Sequence, residues 1–72
     1  MMKRADKYQR LRMLRVERRW TQLQLALKTK ITQSQISMIE NGYTDPSAKD
    51  CERLAKAFGL PVEDVFPPEQ TV

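Results

Sequence analysis

Apolar residues recur along the chain at helical spacing, and polar residues that cap helices separate the apolar segments. Leu11 and Leu14 lie three residues apart, and no segment alternates between apolar and polar residues as a half-buried strand does. Proline and glycine are scarce before Asn41-Gly42, so the usual helix breakers are few in that part of the chain. The pattern predicts an all-α fold of five short helices.

Capping residues set the boundaries of the first three predicted helices. Helix 1 is expected to start near Asp6, whose carboxylate can accept from early backbone N–H groups, and to end near Arg19. Thr21-Gln22-Leu23-Gln24 has the spacing of a capping box, and Thr32-Gln33-Ser34-Gln35 repeats that spacing. The short interval leaves room for about two turns of helix 2. Helices 2 and 3 should therefore meet at a sharp angle across a tight turn.

Glycine, serine and proline set the boundaries of the last helices. Helix 3 should end at Asn41-Gly42, a pair suited to the left-handed backbone that closes a helix. Ser47 should cap helix 4, Gly59 should end it, and Pro61 should open a final turn. The inward side of helix 4 is predicted to consist of Cys51, Leu54, Ala55 and Phe58.

The 72 residues fit one compact domain with a single core. That domain is expected over residues 7–66, with the flexible ends at 1–6 and 67–72. No apolar run approaches the roughly 18 residues of a membrane span, and the chain starts with charged residues rather than an apolar signal region. These features predict a cytoplasmic protein without a membrane segment.

Residue types needed for most catalytic and metal sites are missing from the sequence. The chain has no histidine and a single cysteine, Cys51, so neither a disulfide framework nor the common zinc-ligand patterns can form. A Ser-His-Asp or Cys-His nucleophile is likewise excluded. The acidic residues form no paired, apolar-flanked arrangement suited to acid-base work. The sequence predicts a protein that is not an enzyme and that binds neither a metal nor a cofactor.

Charge is distributed unevenly along the chain. The net charge is +4, but residues 1–20 hold eight bases and two acids, whereas residues 44–72 hold three bases and six acids. A basic half opposite an acidic half suits a protein that binds a polyanion with one surface. A solvated, arginine-rich helix face would give the same distribution of charge, so charge alone leaves both interpretations open.

Predicted helix 3 carries an unusual polar face. Ile36 and Ile39 should face the core, and the opposite arc spans about 100° of the helix surface. That arc contains Gln33, Ser34, Ser37 and Asn41. A polar arc is normally only a solvated face, but solvated helices usually carry Lys and Glu, whereas this one carries uncharged amides and hydroxyls. Glutamine can offer a donor and an acceptor together to adenine, so the composition favours reading of DNA bases.

The run from Trp20 to Gly42, WTQLQLALKTKITQSQISMIENG, closely resembles the Cro and phage-repressor (Xre) helix-turn-helix family. The resemblance continues through Asp45-Pro46-Ser47, residues 54–59 and residues 62–66, and so covers about residues 7–66. It implies a lambda-repressor-like DNA-binding domain with the helix-turn-helix motif at 22–41. It also implies a transcriptional regulator, most simply a repressor, that binds double-stranded DNA at a near-palindromic operator as a homodimer.

The resemblance assigns roles to individual positions of this sequence. Base-reading positions are matched by Gln33, Ser34 and Ser37, with Thr32 and Met38 at their margins. Phosphate-contacting positions are matched by Gln22, Asn41 and Tyr43. Arg15 and Glu40 match a pair that links helix 1 to the end of helix 3 and that could also aim Arg15 toward phosphate. The dimer surface is expected at Leu60, Val62, Val65 and Phe66. These apolar residues exceed what one small core can easily cover, and family members commonly make their dimer contacts in this segment.

Two positions depart from the family pattern. Lys30 stands where the family usually has glycine, so a non-glycine residue must accept a left-handed or otherwise costly conformation there. The pair Arg19-Trp20 stands where the family often has a small or aliphatic residue pair, and we expect Trp20 to cover the core rather than to stack on a DNA base.

Two functions other than binding of double-stranded DNA stay open from the sequence alone. Leu23 and Leu27 are surplus to the predicted core, which suits a protein-interaction module such as an antitoxin that uses the same fold. Single-stranded RNA binding is weakly supported, because no exposed aromatic platform is predicted.

Overall fold

A computed structural model describes residues 8–67, and these residues form five helices without a strand. The helices are α1 (Gln9–Glu17), α2 (Gln22–Thr29), α3 (Gln33–Glu40), α4 (Ala48–Phe58) and α5 (Val62–Val65). The all-α fold with five short helices is confirmed. Asp6 and the expected flexible ends, apart from Pro67, lie outside the described residues.

Local hydrogen bonds account for the starts of three helices. The capping box of α2 is complete, since Thr21 Oγ1 accepts from the Gln24 N–H at 3.0 Å and Gln24 Oε1 accepts from the Thr21 N–H at 2.7 Å. Thr32 Oγ1 accepts from the Gln35 N–H at 3.1 Å, and Ser47 Oγ accepts from the Asp50 N–H at 3.1 Å. Each cap satisfies a backbone donor that has no partner inside its helix.

The helix ends differ in backbone conformation. α1 stops at Glu17, slightly before the predicted end, and Arg19 beyond it has φ 58°. α2 ends at Lys30 with φ 62°, so the first of the two conformations expected for this position, left-handed or otherwise costly, is the one observed. Gly42 and Gly59 have φ 77° and 70°, as expected for the residues that close α3 and α4.

The core lies where all five helices converge. α1 packs against α3 and α5, α2 packs against α3 and α4, and α4 packs against α5. The largest fully buried side chains of the core are Leu11, Leu25, Ile36, Ile39, Leu54 and Val65. Burying one such side chain stabilises the fold by about 1.5–3 kcal/mol. Trp20 packs against the edge of this core and stacks on Phe58, with ring centroids 5.3 Å apart.

Two predicted positions differ from the structure. Val65 is only 1% exposed and belongs to the core, so its assignment to a dimer surface was wrong. The error arises because the excess of apolar residues near the C-terminus does not tell which of them closes the core. Cys51 was expected on the inward side of α4 but is only half-buried. Among the described helices, none is long and apolar enough to cross a membrane.

Candidate nucleic-acid interface

The turn between α2 and α3 fixes the direction in which α3 leaves the domain. Thr29 is buried, and its hydroxyl donates to the Leu25 carbonyl at 2.8 Å and accepts from the Ile31 N–H at 3.3 Å. Ile31 is 6% exposed, so its side chain anchors the turn in the core. With the turn held at both sides of Lys30, the start of α3 is oriented by buried contacts.

The first turn of α3 presents an uncharged polar surface. Thr32, Gln33 and Ser34 are exposed, Ser37 is half-buried, and Met38 is 43% exposed. The opposite side of α3 contributes Ile36 and Ile39 to the core. All five candidate base-reading residues therefore have at least part of their surface accessible, on a helix held rigidly from behind.

Residues after α3 extend this surface. Asn41 is exposed, and its Nδ2 donates to the Ser37 carbonyl at 2.9 Å, with a longer contact of 3.4 Å to Ser37 Oγ. Tyr43 is 71% exposed, and its backbone N–H donates to the Met38 carbonyl at 2.9 Å. The chain thus folds back at Gly42 and leaves the Tyr43 ring in solvent.

Arg15 and Glu40 form the ion pair between α1 and α3. Arg15 Nε donates to Glu40 Oε2 at 2.7 Å and Nη2 donates to Glu40 Oε1 at 3.1 Å, which is the two-point geometry that suits arginine and a carboxylate. Arg15 Nη1 also donates to the Trp20 carbonyl at 2.8 Å. The side chains are 12% and 2% exposed, respectively, so the pair is largely removed from water.

This geometry changes what Arg15 can contact. All three guanidinium nitrogens already donate within the fold, and little of the side chain reaches solvent. A direct phosphate contact by Arg15 is therefore not supported. The structure uses Arg15 to hold α1, the loop at Trp20 and the end of α3 together.

Gln22 joins the same network, which the sequence pattern did not reveal. Its Nε2 donates to Glu40 Oε1 at 3.1 Å. One N–H of that amide therefore already donates a hydrogen bond, while the second N–H and the amide oxygen form no hydrogen bond with described residues. Because Glu40 is 18 positions away in another helix, only the three-dimensional packing shows that Gln22 is held in place by the buried carboxylate.

The electrostatic character of the surface follows from the sequence and from burial. No Asp or Glu stands between Glu17 and Glu40, and Glu40 is only 4% exposed. The bases of this segment are Arg18, Arg19, Lys28 and Lys30. From residue 18 to residue 44 the described surface consequently carries positive charges and no exposed carboxylate.

Two of these bases pack on the core aromatics. Lys28 Nζ lies 4.7 Å from the centre of the Trp20 ring, and Arg18 Cζ lies 5.0 Å from the centre of the Phe58 ring. Such cation–π contacts contribute about 0.5–1 kcal/mol at exposed sites. Trp20 is thereby covered on the solvent side, in agreement with its expected role in packing.

Two long-range bonds hold α1 in place and were not evident from the sequence. Tyr8 Oη donates to Asp45 Oδ1 at 2.5 Å, and Arg10 Nε donates to the Asp64 carbonyl at 3.0 Å. The Tyr8 ring also packs edge-on against Phe66, with centroids 5.8 Å apart. The contacts with Asp64 and Phe66 hold α5 against α1, and the bond to Asp45 ties the start of α1 to the segment before α4.

Cys51 does not have the environment of a reactive thiol. Partial burial raises the pKa of its thiol, and the neighbouring charges of Asp50 and Glu52 raise it further. The thiol is accordingly protonated at neutral pH and a poor nucleophile. Residues 8–67 contain no cluster of three or more His, Cys, Asp or Glu side chains that could hold a metal ion.

Known proteins with related sequences are regulators of transcription. A helix-turn-helix family model matches residues 11–65. The chain is 44% identical over 46 residues to an uncharacterized HTH-type transcriptional regulator of Methanocaldococcus jannaschii, covering 64% of this chain and 70% of the relative. It is 43% identical over 56 residues to the competence pilus inhibition repressor of Acinetobacter baylyi, covering 78% of this chain and 51% of the relative.

A third relative is the immunity repressor protein of Bacillus phage phi105, 34% identical over 64 residues, covering 89% of this chain and 44% of the relative. The chain therefore spans about half the length of the two repressors that it matches.

Solved structures show the same fold. The restriction-modification controller protein C.AhdI from Aeromonas hydrophila superposes with a TM-score of 0.81 at 27% identity, covering 88% of this chain and 96% of that one. The clp gene regulator ClgR from C. glutamicum superposes with a TM-score of 0.76 at 25% identity, covering 90% and 84%. The chain belongs to the helix-turn-helix family of the Cro and phage-repressor (Xre) type, whose members are DNA-binding transcriptional regulators.

Proposed function

We propose that this chain represses transcription by binding a near-palindromic DNA operator as a homodimer and reading base pairs in the major groove with the first turn of α3. The observation that carries the proposal is the exposed, uncharged surface formed by Thr32, Gln33 and Ser34. This surface lies within a segment that exposes lysine and arginine side chains but no carboxylate.

The dimensions and chemistry of α3 suit the major groove. A helix with its side chains is about 10–12 Å across, and the groove of B-DNA is about 12 Å wide. Gln33 can donate to and accept from one adenine edge at once, while the Ser34 and Ser37 hydroxyls can serve as donor or acceptor. A carboxylate on this surface would repel the phosphates on both sides of the groove, and none is exposed there.

Contacts to phosphate are proposed for Gln22, Asn41 and Tyr43. Gln22 retains one amide N–H for a phosphate oxygen while its other N–H is held by Glu40. Tyr43 offers a phenol hydroxyl on a largely exposed side chain. Contacts of this kind fix the position of a protein on the duplex but do not discriminate between sequences.

Dimerisation is proposed at the surface around α5. Leu60, Val62 and Phe66 are half-buried apolar residues that pack against the core and keep part of their surface accessible. One domain of this size reads only a few base pairs, so selection of a single genomic site requires two copies on one duplex. A two-fold axis near α5 would place the two α3 helices about 34 Å apart, which is one turn of DNA.

The proposal is tested by separating base reading from anchoring. Gln33→Ala should weaken binding to the preferred operator by about 1–3 kcal/mol and relax the preference at one base pair. Gln22→Ala should weaken binding to all duplexes by a similar factor. The matched control is Gln35→Ala, which changes the same residue type in the same helical turn at a half-buried position.

Binding of each variant to the preferred operator and to single-base variants of it can be measured by fluorescence anisotropy. We expect Gln35→Ala to retain the base preferences of the wild type. If Gln33→Ala also retained both its affinity and its preferences, α3 would not read bases through Gln33.

A second candidate function is recognition of a protein partner. Leu23 and Leu27 are 51% and 73% exposed and lie four residues apart, so they share the outer face of α2. An antitoxin-like module would use such a face to bind its partner. The double variant Leu23→Gln/Leu27→Gln should leave operator affinity unchanged, and its loss of regulation in cells would favour this candidate. Unchanged regulation would mean that these leucines have no partner.

A further inference from the structure

The two non-glycine residues with positive φ in the described chain are both basic. Arg19 has φ 58° and Lys30 has φ 62°. L-residues are disfavoured in this region because Cβ approaches the backbone, and glycine avoids that penalty. The chain uses glycine at its other two left-handed positions, Gly42 and Gly59. Arg19 and Lys30 therefore occupy positions where a less strained residue is available.

Both residues stand at the same place in a repeated six-residue unit. The units are Arg19-Trp20-Thr21-Gln22-Leu23-Gln24 and Lys30-Ile31-Thr32-Gln33-Ser34-Gln35. In each unit a basic residue with left-handed backbone precedes an apolar residue that packs on the core. A threonine then caps the next helix. Each base lies three residues before a glutamine that is proposed to touch DNA.

Neither side chain has a partner among residues 8–67. The backbone N–H groups of Arg19 and Lys30 donate to the carbonyls of Val16 and Ala26. Their side chains are exposed and form no hydrogen bond, ion pair or ring contact with other described residues. Nearby bases are engaged, because Arg15 binds Glu40 while Arg18 and Lys28 cover aromatic rings. Contacts of the two charges with other described residues therefore do not offset the strain of the left-handed backbone at Arg19 and Lys30.

We propose that Arg19 and Lys30 contact DNA phosphates. These contacts strengthen the binding of α2 to the DNA backbone, while the left-handed conformation of the two residues lowers the stability of the fold. The inference rests on the proposed DNA-binding function. The two cations flank α2, which has eight residues and is about 12 Å long. In helix-turn-helix complexes the first helix of the motif crosses the DNA backbone while the second enters the groove. Cations at both ends of that first helix are placed to neutralise phosphates on either side of the crossing.

The test replaces Arg19 and Lys30 each in two ways. Arg19→Gly and Lys30→Gly remove the charge and the strain, whereas Arg19→Gln and Lys30→Gln remove the charge and leave a side chain in the left-handed backbone. Lys56→Gln is the charge-matched control, since Lys56 is exposed near the end of α4 and its side chain has no partner among the described residues. Binding to a labelled pool of random-sequence duplexes is measured at about 50 and 200 mM salt, together with the melting temperature of each variant.

Loss of one phosphate contact should reduce the slope of log affinity against log salt by about 0.9. The affinity deficit of each Gly or Gln variant should then be about 3.5-fold larger at the lower salt concentration, and about 12-fold larger when both bases are replaced. Each Gly variant should melt a few degrees above the Gln variant at the same position, because it relieves the strain. Lys56→Gln should keep the slope of the wild type.

Each alternative result has a distinct meaning. A wild-type slope in the Arg19 and Lys30 variants, with wild-type protein that binds the duplex pool, would overturn this inference and leave the proposed function intact. Gly variants that melt below the Gln variants would overturn it as well, because the bases would then not be strained. Wild-type protein without saturable binding to any duplex would overturn the proposed function and the inference together.

Discussion

Replacing the buried Glu40 with alanine should destabilise the fold more than alanine substitution of an exposed carboxylate such as Glu52. The carboxylate is 2% exposed and accepts from Arg15 Nε, Arg15 Nη2 and Gln22 Nε2 at 2.7, 3.1 and 3.1 Å. Without it, a guanidinium that is 12% exposed keeps only the Trp20 carbonyl as a partner. The substitution therefore strands a cation at the junction of α1, α2 and α3.

The magnitude follows from the burial of the pair. Breaking a buried ion pair by removing one partner costs about 3–5 kcal/mol, because the remaining charge is left without compensation. Arg15 retains one hydrogen bond and some solvent access, so we expect the lower end, about 3 kcal/mol. In a domain of 60–100 residues, 1 kcal/mol corresponds to about 4–8 °C, and Glu40→Ala should lower the melting temperature by about 12–24 °C.

Thermal and urea unfolding followed by circular dichroism measure this loss. Glu52→Ala is the matched control, because Glu52 is a helical carboxylate that is exposed on α4, and it should change the free energy of unfolding by less than about 0.5 kcal/mol. The double variant Arg15→Met/Glu40→Leu removes both charges and should be more stable than Glu40→Ala. A melting temperature for Glu40→Ala within a few degrees of the wild type would show that the pair is solvated and does not link the helices.

Four further outcomes are expected, the last of them from the proposed dimer. Gly59→Ala should lower the free energy of unfolding by about 1 kcal/mol. The cause is the φ of 70° alone, because the added Cβ would meet no atom within 4 Å beyond its neighbours in the chain. A melting temperature equal to that of the wild type would contradict this. Cys51 has a raised thiol pKa, so iodoacetamide should label it more slowly in the folded protein than in urea at the same alkaline pH. For the same reason the contribution of Cys51 to stability is present below the usual thiol pKa and is lost as pH rises through the folded value. Inserting half a turn of DNA between the operator half-sites should abolish joint binding of two chains, whereas a dimer with flexibly linked α3 helices would tolerate the insertion.

Features that depend on neighbouring residues could be predicted from the sequence. The caps at Thr21, Thr32 and Ser47 rest on bonds between residues three positions apart, so their spacing is visible in the sequence. A left-handed or otherwise costly conformation of Lys30 was predicted because the family resemblance places glycine there. The helix count and the inward positions of α3 follow from apolar spacing for the same local reason.

Features that depend on packing between distant segments could not be predicted. Val65 was assigned to a surface because apolar composition alone does not distinguish a residue that closes the core from one that covers it. The strain at Arg19 has no local signal, since Trp20, which separates Arg19 from the α2 cap at Thr21, stacks on Phe58 far along the chain. The bonds of Tyr8 to Asp45 and of Gln22 to Glu40 also join separate elements.

Selection of bound sequences from a random pool of duplex DNA tests the central proposal most directly. The account predicts enrichment of a near-palindromic motif whose two half-sites are centred about one helical turn apart, with two chains bound per duplex at saturation. It also predicts that selection with Gln33→Ala loses the preference at one symmetric pair of positions while the spacing is retained. A selected pool without an enriched motif, from wild-type protein that is folded by circular dichroism, would contradict sequence-specific DNA recognition by α3.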